Sequence, residues 1–383
     1  MTEILFWISI LLILYTYAGY PVLILLFSAF SNNKVKKFEI KPQVSFLITA
    51  YNEEKDIKEK LKNCFELDYP SDKLEIVVAS DGSTDATDEI VKQYENNDAG
   101  IRVILHRLEG RLGKTATQNS AVKICRGEII VFSDAASMYD KNAVRALVKN
   151  YADPKVGAVS GMYNYIKDDN SSTGLATILF WKLENFIKSR QTKIKTITGC
   201  CGCIYSLRKE LYTDLSPEII SDLVEPLTII KKGYRIVFEP GALAIEETAG
   251  DTEDEFKMRI RVIVRGMNGM LFVKDLFNPK KYPFVSFQLI SHKLLRWLVP
   301  VFAIIVFISN ALLLSTHTFY SLLFLGQILF YGLAVTGYFM EKKGVHKIYF
   351  YLPLYFCTVN LAALISIFKV MRKENIVTWQ TKR

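Results

Sequence analysis

The feature that most constrains this chain is the lack of charge near its N-terminus. Ile4 to Asn33 form a run of 30 residues without Asp, Glu, Lys or Arg. A helix needs about 20 apolar residues to cross the hydrocarbon core of a bilayer, so the run predicts a membrane-spanning helix. The residues before it, Met1, Thr2 and Glu3, lack the basic start of a signal peptide. We therefore expect the helix to be retained.

Further apolar runs lie in the C-terminal part of the chain. Trp297 to Met340 carries no charge, and a polar break at 315–318 divides it into two spans. Ile348 to Phe368 is a third uncharged run. Residues 284–297 mix apolar and basic side chains, which suits a helix lying along the membrane interface or the start of the next crossing. The predicted order is a transmembrane helix at 1–33, a cytosolic domain at 34–280, an interface helix at 281–297, about three transmembrane helices at 298–370 and a basic tail at 371–383.

The distribution of lysines predicts which side of the membrane holds the central region. Lys34, Lys36, Lys37 and Lys41 follow the first span, whereas Glu3 is the only charge before it. The positive-inside rule then places the central region in the cytosol, in a multi-pass protein of the inner or plasma membrane. Three C-terminal crossings would leave the basic tail outside, against the same rule. The sequence leaves open whether one run is re-entrant or the rule fails.

The overall charge indicates the kind of partner. The net charge of +9 fits a protein that works against anionic lipid and an anionic substrate. Nucleic acid is not predicted as a partner, because the basic residues are spread out and no DNA-binding or RNA-binding motif accompanies them.

The central region alternates short β-branched runs with polar helical stretches. This alternation predicts an α/β domain with a mostly parallel sheet, whose ligand lies beyond the carboxyl ends of the strands. The predicted strands are 44–49, 74–79, 101–105 and 128–132, and the predicted helices are 54–65, 85–95, 114–125 and 141–151.

Acidic residues follow three of these strands and should meet at one edge of the sheet. Glu53 follows the first strand, Asp81 the second and Asp134 the fourth. A carboxylate after the second strand can hydrogen-bond a ribose or a base edge, and one after the fourth can hold a divalent cation that grips a diphosphate. Arg111 and Lys114 lie at the start of a helix, where amides and cations favour phosphate oxygens.

Two later segments carry further candidate residues. Asp222 lies in the apolar stretch 219–224, and a partly buried acid is costly unless it is paired or functional. We interpret it as a general base, with an acid at a helix N-terminus as the alternative. Arg261 and Arg265 share one helix face. They could clamp a diphosphate or rest on anionic lipid.

The ordered motifs resemble those of family 2 glycosyltransferases, and the membrane layout resembles the processive cellulose, hyaluronan and poly-N-acetylglucosamine synthases. The matching segments are Ile48 to Glu54, Ser80 to Asp85, Gly113-Lys114, Phe132 to Ala136 and Ser221-Asp222.

This resemblance implies a GT-A fold, inverting transfer from a UDP-sugar, Mg2+ or Mn2+ as cofactor, and a growing glycan as acceptor. It also implies a role for each matching residue. Tyr51, Glu53 and Asp81 would bind the nucleotide with Lys114, Asp134 would bind the metal, Asp222 would be the base, and Gly199, Cys200, Cys201 and Gly202 would contact the acceptor sugar.

The sequence departs from the family pattern at three places. The acidic pair that includes the base reads Ser221-Asp222. The Asp-x-Asp motif reads Asp134-Ala135-Ala136, and the Gln-x-x-Arg-Trp motif is reduced to Arg261, with Arg265 as the alternative. Exopolysaccharide or capsule synthesis is the predicted function, with membrane lipids and an optional accessory export subunit as partners. The alternatives are a non-processive enzyme acting on a polyprenyl phosphate or other lipid acceptor, and an inactive subunit that binds a nucleotide sugar or glycan.

Overall fold

The computed structural model describes residues 1–97, 99–166, 172–247, 252–343 and 347–378. Within them, one sheet forms the centre of the catalytic domain, with strand order β3-β2-β1-β4-β7-β6-β8-β5. The strands are β1 Val44–Ala50, β2 Leu74–Ser80, β3 Arg102–Arg107, β4 Ile129–Asp134, β5 Met138–Tyr139, β6 Val156–Ile166, β7 Ile204–Arg208 and β8 Arg235–Glu247.

The first four strands are parallel and confirm the predicted α/β sheet. β1 pairs with β2 and with β4, and β2 pairs with β3, all in parallel. Every residue of β1 and β2 is buried, which explains why their sequences are mostly apolar: a parallel strand covered by helices on both faces has no solvent-facing side. The predicted helices are also present, although the structure ends three of them earlier and begins three of them later.

The helices of the catalytic domain cover this sheet and end at its edges. They are α2 Ile57–Phe65, α3 Thr87–Lys92, α4 Lys114–Ile124, α5 Ala143–Val148, α6 Ser172–Ile194, α7 Ser221–Lys231 and α8 Thr252–Phe272.

The second half of the sheet was not predicted from the sequence. β7 is antiparallel to both β4 and β6, while β6 runs parallel to β8. This arrangement brings the loop before β7, residues 199–203, next to the carboxyl end of β4. It also places the start of α7 at the same edge.

Four long apolar helices are candidate membrane spans by length and composition: α1 Thr2–Ala29, α9 Pro283–Leu313, α10 Thr318–Glu341 and α11 Ile348–Met371. α1 is one helical run that includes a wider turn at Tyr15–Gly19. Residues 283–313 form one continuous helical run of 31 residues, so the segment 284–297 and the predicted span after it belong to one helix, α9. The position of 284–297 at the membrane interface stays a prediction. Residues 379–383 of the predicted basic tail lie outside the described part of the chain.

Candidate active site

Asp81 lies at the end of β2 and holds the loop that leads into α4. Its Oδ1 accepts hydrogen bonds from Leu112 N at 2.7 Å and from Thr117 Oγ1 at 3.0 Å, and its Oδ2 accepts from Gly113 N at 2.9 Å. The side chain is fully buried. A carboxylate at the first amides of a helix is favoured by the helix dipole. Asp81 therefore fixes the position of Lys114, the first residue of α4.

The loops after β1 and before α3 are joined by side-chain to backbone hydrogen bonds. Asn52 has a φ of 54°, a conformation that Asn tolerates, and its Oδ1 accepts from Thr84 N at 2.8 Å. Glu53 N donates to Thr87 Oγ1 at 2.8 Å. These bonds hold Tyr51 and Glu53 at the carboxyl edge of the sheet, as predicted.

Arg111 stacks on Tyr51 and faces the same cleft. Its guanidinium carbon lies 3.9 Å from the centre of the Tyr51 ring. Its Nε and one terminal nitrogen are buried without a hydrogen-bond partner in the described part of the chain. Buried donors are usually satisfied, so this cation is suited to an anionic group brought by a ligand.

Lys114 and Asp134 form an ion pair across the cleft. Burial disfavours the charged lysine, but the hydrogen bond and charge of Asp134, with a further contribution from Asp222, raise the pKa of Lys114 overall. Asp134 is the last residue of β4, and its side chain is 39% exposed. The pair therefore places one cation and one accessible carboxylate at the position predicted for a metal-bound diphosphate.

Asp222 occupies the first turn of α7, beside the loop before β7. Its Oδ1 is buried and has no hydrogen-bond partner among the described residues. Burial raises the pKa of Asp222, an effect that the positive charge of Lys114 reduces. An ionisable carboxylate without a partner in a cleft has the features of a general base.

The predicted acceptor segment lies against Asp222. A β-carbon added to Gly202 would come within 2.8 Å of Asp222 Oδ2, so only glycine leaves room for this carboxylate. Cys200 N donates to the Asp222 carbonyl oxygen at 2.8 Å, and Cys201 N donates to Ser160 Oγ at 3.1 Å. The segment 199–202 thus forms one wall beside the candidate base.

The structure separates Arg261 from Arg265, which the sequence could not distinguish. Arg265 is 5% exposed and donates to Thr115 Oγ1 at 2.7 Å and to the carbonyl oxygens of Pro217 and Ile219 at 3.0 and 2.7 Å. It ties α8 to α4 and to the start of α7. Arg261 instead lies in electrostatic range of Asp134 and Arg111, and burial lowers its pKa.

Sequence reasoning missed two cations near Asp222. Lys188 on α6 is 7% exposed, and both its charge and that of Lys293 on α9 lower the pKa of Asp222. Neither lysine forms an ion pair with a residue in the described ranges; nearby Glu184 is bound to His292 at 3.0 Å and to Arg296 at 2.6 Å. Lys188 is set in an ordinary helical pattern, and only the packing of α6 against α9 brings it to the site.

Comparison with known proteins agrees with this geometry. Residues 45–216 match the model of the Glycosyl transferase family 2. The chain is 30% identical over 248 residues to the poly-beta-1,6-N-acetyl-D-glucosamine synthase of Staphylococcus aureus strain COL, a match that covers 62% of this chain and 57% of that protein. It is 24% identical over 367 residues to the Staphylococcus epidermidis synthase of the same name, covering 88% and 86% of the two chains.

A solved structure extends the likeness to the whole chain. The mannosyltransferase of Pyrobaculum calidifontis, in complex with GDP-Man and Mn2+, has a TM-score of 0.73 and 22% identity, covering 97% of this chain and 100% of that one. At this level of identity the likeness establishes the fold. This chain has the GT-A glycosyltransferase fold, its residues 45–216 match the family 2 model, and helices apolar enough to span a membrane flank this part.

Proposed function

We propose that this protein moves a sugar from a UDP-sugar to a growing glycan at the membrane, with inversion at the anomeric carbon, in exopolysaccharide synthesis. The observation that carries the proposal is the unpartnered Oδ1 of Asp222, which lies beside a cleft containing the cations Lys114 and Arg111. The relatives named poly-beta-1,6-N-acetyl-D-glucosamine synthases support N-acetylglucosamine as the first sugar to test.

In the proposed reaction, Asp222 takes the proton from an acceptor hydroxyl. The hydroxyl oxygen forms a bond to the anomeric carbon as the bond from that carbon to the diphosphate oxygen breaks. The electron pair leaves with UDP, whose developing charge would be stabilised by Lys114, Arg111 and Arg261. Positioned acid–base groups of this kind contribute about 10² to 10⁴ in rate.

A divalent cation, Mg2+ or Mn2+, fits this site only together with the substrate. The described residues hold no group of three metal-ligating His, Cys, Asp or Glu side chains, and Ala135 and Ala136 follow Asp134. Mg2+ is often bound by one or two carboxylates plus substrate phosphates, a pattern that Asp134 could serve. When bound, the cation would neutralise charge on the diphosphate.

We place the catalytic domain on the cytosolic side, where nucleotide sugars are made. Lys34, Lys36 and Lys37 between α1 and β1 support this orientation. The acceptor would approach from the membrane side of Asp222, between α6 and α9.

The test is UDP release by detergent-purified protein supplied with Mn2+ or Mg2+ and with one donor at a time: UDP-N-acetylglucosamine, UDP-glucose, UDP-galactose or UDP-glucuronate. We expect turnover with one donor and its loss in Asp222→Asn. Asp214→Asn is the matched control, because this exposed carboxylate forms an ion pair with Lys123 at the surface and with no other residue in the described ranges. Binding of UDP without release from any donor would support the inactive-subunit alternative.

A second candidate acceptor is a polyprenyl phosphate, to which a single sugar would be added. The observation that favours it is the pair of cations Lys188 and Lys293, which have no ion-pair partner in the described ranges and lie on helices next to α1. A lipid phosphate would supply the missing anion. Polymer as product supports the first candidate, whereas one sugar on an extractable lipid phosphate supports the second.

A further inference from the structure

Three long apolar helices, α9, α10 and α11, follow the catalytic domain. If all three crossed the membrane, the residues after Met371 would lie on the side opposite to the catalytic domain. The contacts of the helix ends decide whether this holds, and they do not depend on which sugar or acceptor the enzyme uses.

α1 and α9 both run from the catalytic domain to a far end of the molecule. Near the domain, Asn33 N donates to Lys193 O at 3.3 Å, and Leu289 packs in the domain core. At the far end, Phe6 of α1 packs against Leu313 of α9 in a separate apolar cluster. These two helices therefore extend away from the domain by their full length.

α10 begins at the far end and returns to the domain. Tyr320 in its first turn donates to the Glu3 carboxylate at 2.5 Å, which places residue 320 beside the N-terminus. Lys342, just after its last turn, lies in electrostatic range of Glu253 at the start of α8. After α10, the chain is again on the side of the catalytic domain.

α11 returns to that side, because it contacts the catalytic domain near both of its ends, while between them Phe356 packs against Phe330 of α10 and Tyr17 of α1. Arg259 of α8 donates to Tyr355 in the second turn of α11 at 2.6 Å, and Ser366 near the other end donates to Ile260 O at 3.3 Å. Beyond α11, Asn268 of α8 donates to Asn375 at 3.1 Å. α11 is about 36 Å long at 1.5 Å per residue, so length alone would allow a crossing that these contacts exclude.

The residues after α11 reach the active-site cleft itself. A β-carbon built on Gly113 would meet both Val377 Cγ1 and Val377 O at 2.8 Å, so the backbone after α11 lies directly on the loop before α4. Gly113 is also bound by Asp81. The two ends of α11 are thus connected to the same cytosolic domain.

We infer that the chain crosses the membrane three times, through α1, α9 and α10, and that α11 does not cross but lies in the cytosolic half of the membrane, packed between α8 and α10. The exposed face of α11 contacts the lipid of the cytosolic leaflet. Leu361, Phe368 and Met371 on this face are exposed, and Arg372 and Lys373 follow them. An apolar face with adjacent cations is typical of interfacial helices on anionic lipid.

The inference also removes the conflict in the positive-inside rule. Lys34, Lys36 and Lys37 before the domain and Lys369, Arg372 and Lys373 after α11 lie on one side of the membrane under this arrangement.

The test is labelling of single cysteines in the full chain by a membrane-impermeant maleimide. The six native cysteines are replaced, and an unchanged thermal midpoint and gel-filtration profile show that this background is folded. Thr378→Cys reports the residues after α11, Ser71→Cys the catalytic domain and Ser315→Cys the far end; all three positions are exposed. We expect positions 378 and 71 to react only in inverted vesicles and position 315 only in right-side-out vesicles. Reaction of position 378 together with position 315 would overturn the inference.

A second measurement avoids the loss of the native cysteines. A fluorescent protein that matures only in the cytosol is fused after the last residue of the otherwise unchanged chain. Fluorescence is the expected result, and an expressed but dark fusion, with activity of an alkaline phosphatase fusion at the same place, would contradict the inference.

Discussion

Lys114 and Asp134 form an ion pair across the candidate donor cleft, so each neutralises a charge that a bound nucleotide sugar would otherwise meet. A diphosphate that enters this cleft must replace Asp134 as the partner of Lys114. Asp134 would then be released for a cation. The pair thus holds the two groups in position before the donor binds.

This relationship predicts different effects of two substitutions, one on UDP binding itself and the other on the strengthening of that binding by metal. Lys114→Met should weaken UDP binding about tenfold to a hundredfold, since a charge-assisted hydrogen bond contributes about 1.5 to 3 kcal/mol. Asp134→Asn should preserve UDP binding without metal but abolish its strengthening by Mn2+. Isothermal titration of UDP with and without Mn2+ measures both. Equal Mn2+ enhancement in Asp134→Asn and the unaltered protein would contradict the assignment.

Asp222→Asn should reduce the transfer rate by about 10² to 10⁴ while leaving UDP affinity close to that of the unaltered protein. The reason is that the amide keeps the shape of the carboxylate but cannot take a proton. Single-turnover transfer and UDP titration on one preparation separate the two effects. A parallel loss of UDP affinity would indicate that Asp222 acts in donor binding.

The pH dependence of transfer should report the surroundings of Asp222. Its pKa lies above the ordinary value because of burial, and Lys188 opposes that effect. The base is active when ionised, so the rate falls as pH drops through this raised pKa. Lys188→Met should move the acidic limb of the kcat profile to higher pH, while Lys188→Arg should leave it nearly unchanged. An unmoved limb in Lys188→Met would show that the limb belongs to another group.

Arg261 and Arg265 should differ in what they support. Arg265→Gln should lower the free energy of unfolding by about 1 to 3 kcal/mol, because it removes the donor to Pro217 O and one of the two donors to Ile219 O, just before α7. Arg261→Gln should leave the thermal midpoint nearly unchanged and weaken UDP binding. Differential scanning fluorimetry and UDP titration on the two variants provide the comparison. Normal stability of Arg265→Gln would contradict its structural role.

Glu225 should make the stability of the domain depend on pH. It is fully buried on α7, and burial raises its pKa to about 8 from an ordinary 4.5. The folded state therefore binds this proton more tightly than the unfolded state, and stability decreases as pH rises from about 4.5 toward 8. The slope is about 1.4 kcal/mol per pH unit from this group. Glu225→Gln should make the thermal midpoint less dependent on pH over this range. Glu218→Gln is the control and should leave that dependence unchanged.

The parallel half of the fold and the candidate residues that follow its strands could be predicted from the sequence. β1 and β2 are mostly apolar runs, and strand ends in a parallel sheet meet at one edge, so Glu53, Asp81 and Asp134 could be placed together. Residue type also favours Asp85 as a capping residue, and its Oδ1 accepts from Thr87 N at 3.0 Å at the start of α3.

The rest depends on contacts between residues far apart in the chain. Arg265 differs from Arg261 only in that its guanidinium meets carbonyl oxygens some 46 to 48 positions earlier. Lys188 reaches Asp222 only through the packing of α6. Helical spacing contains no signal for such contacts. The same holds for α11, whose composition satisfies every criterion for a crossing while its neighbours place it along α8.

The contact between Val377 and Gly113 has a consequence for biosynthesis. The loop at Gly113 is translated before the segment that covers it, which follows more than 260 positions later in the chain. A nascent chain can complete the sheet well before this point, but its donor loop stays uncovered until α9 and α10 have been inserted and α11 has docked. Membrane insertion and maturation of the active site are thereby coupled in time.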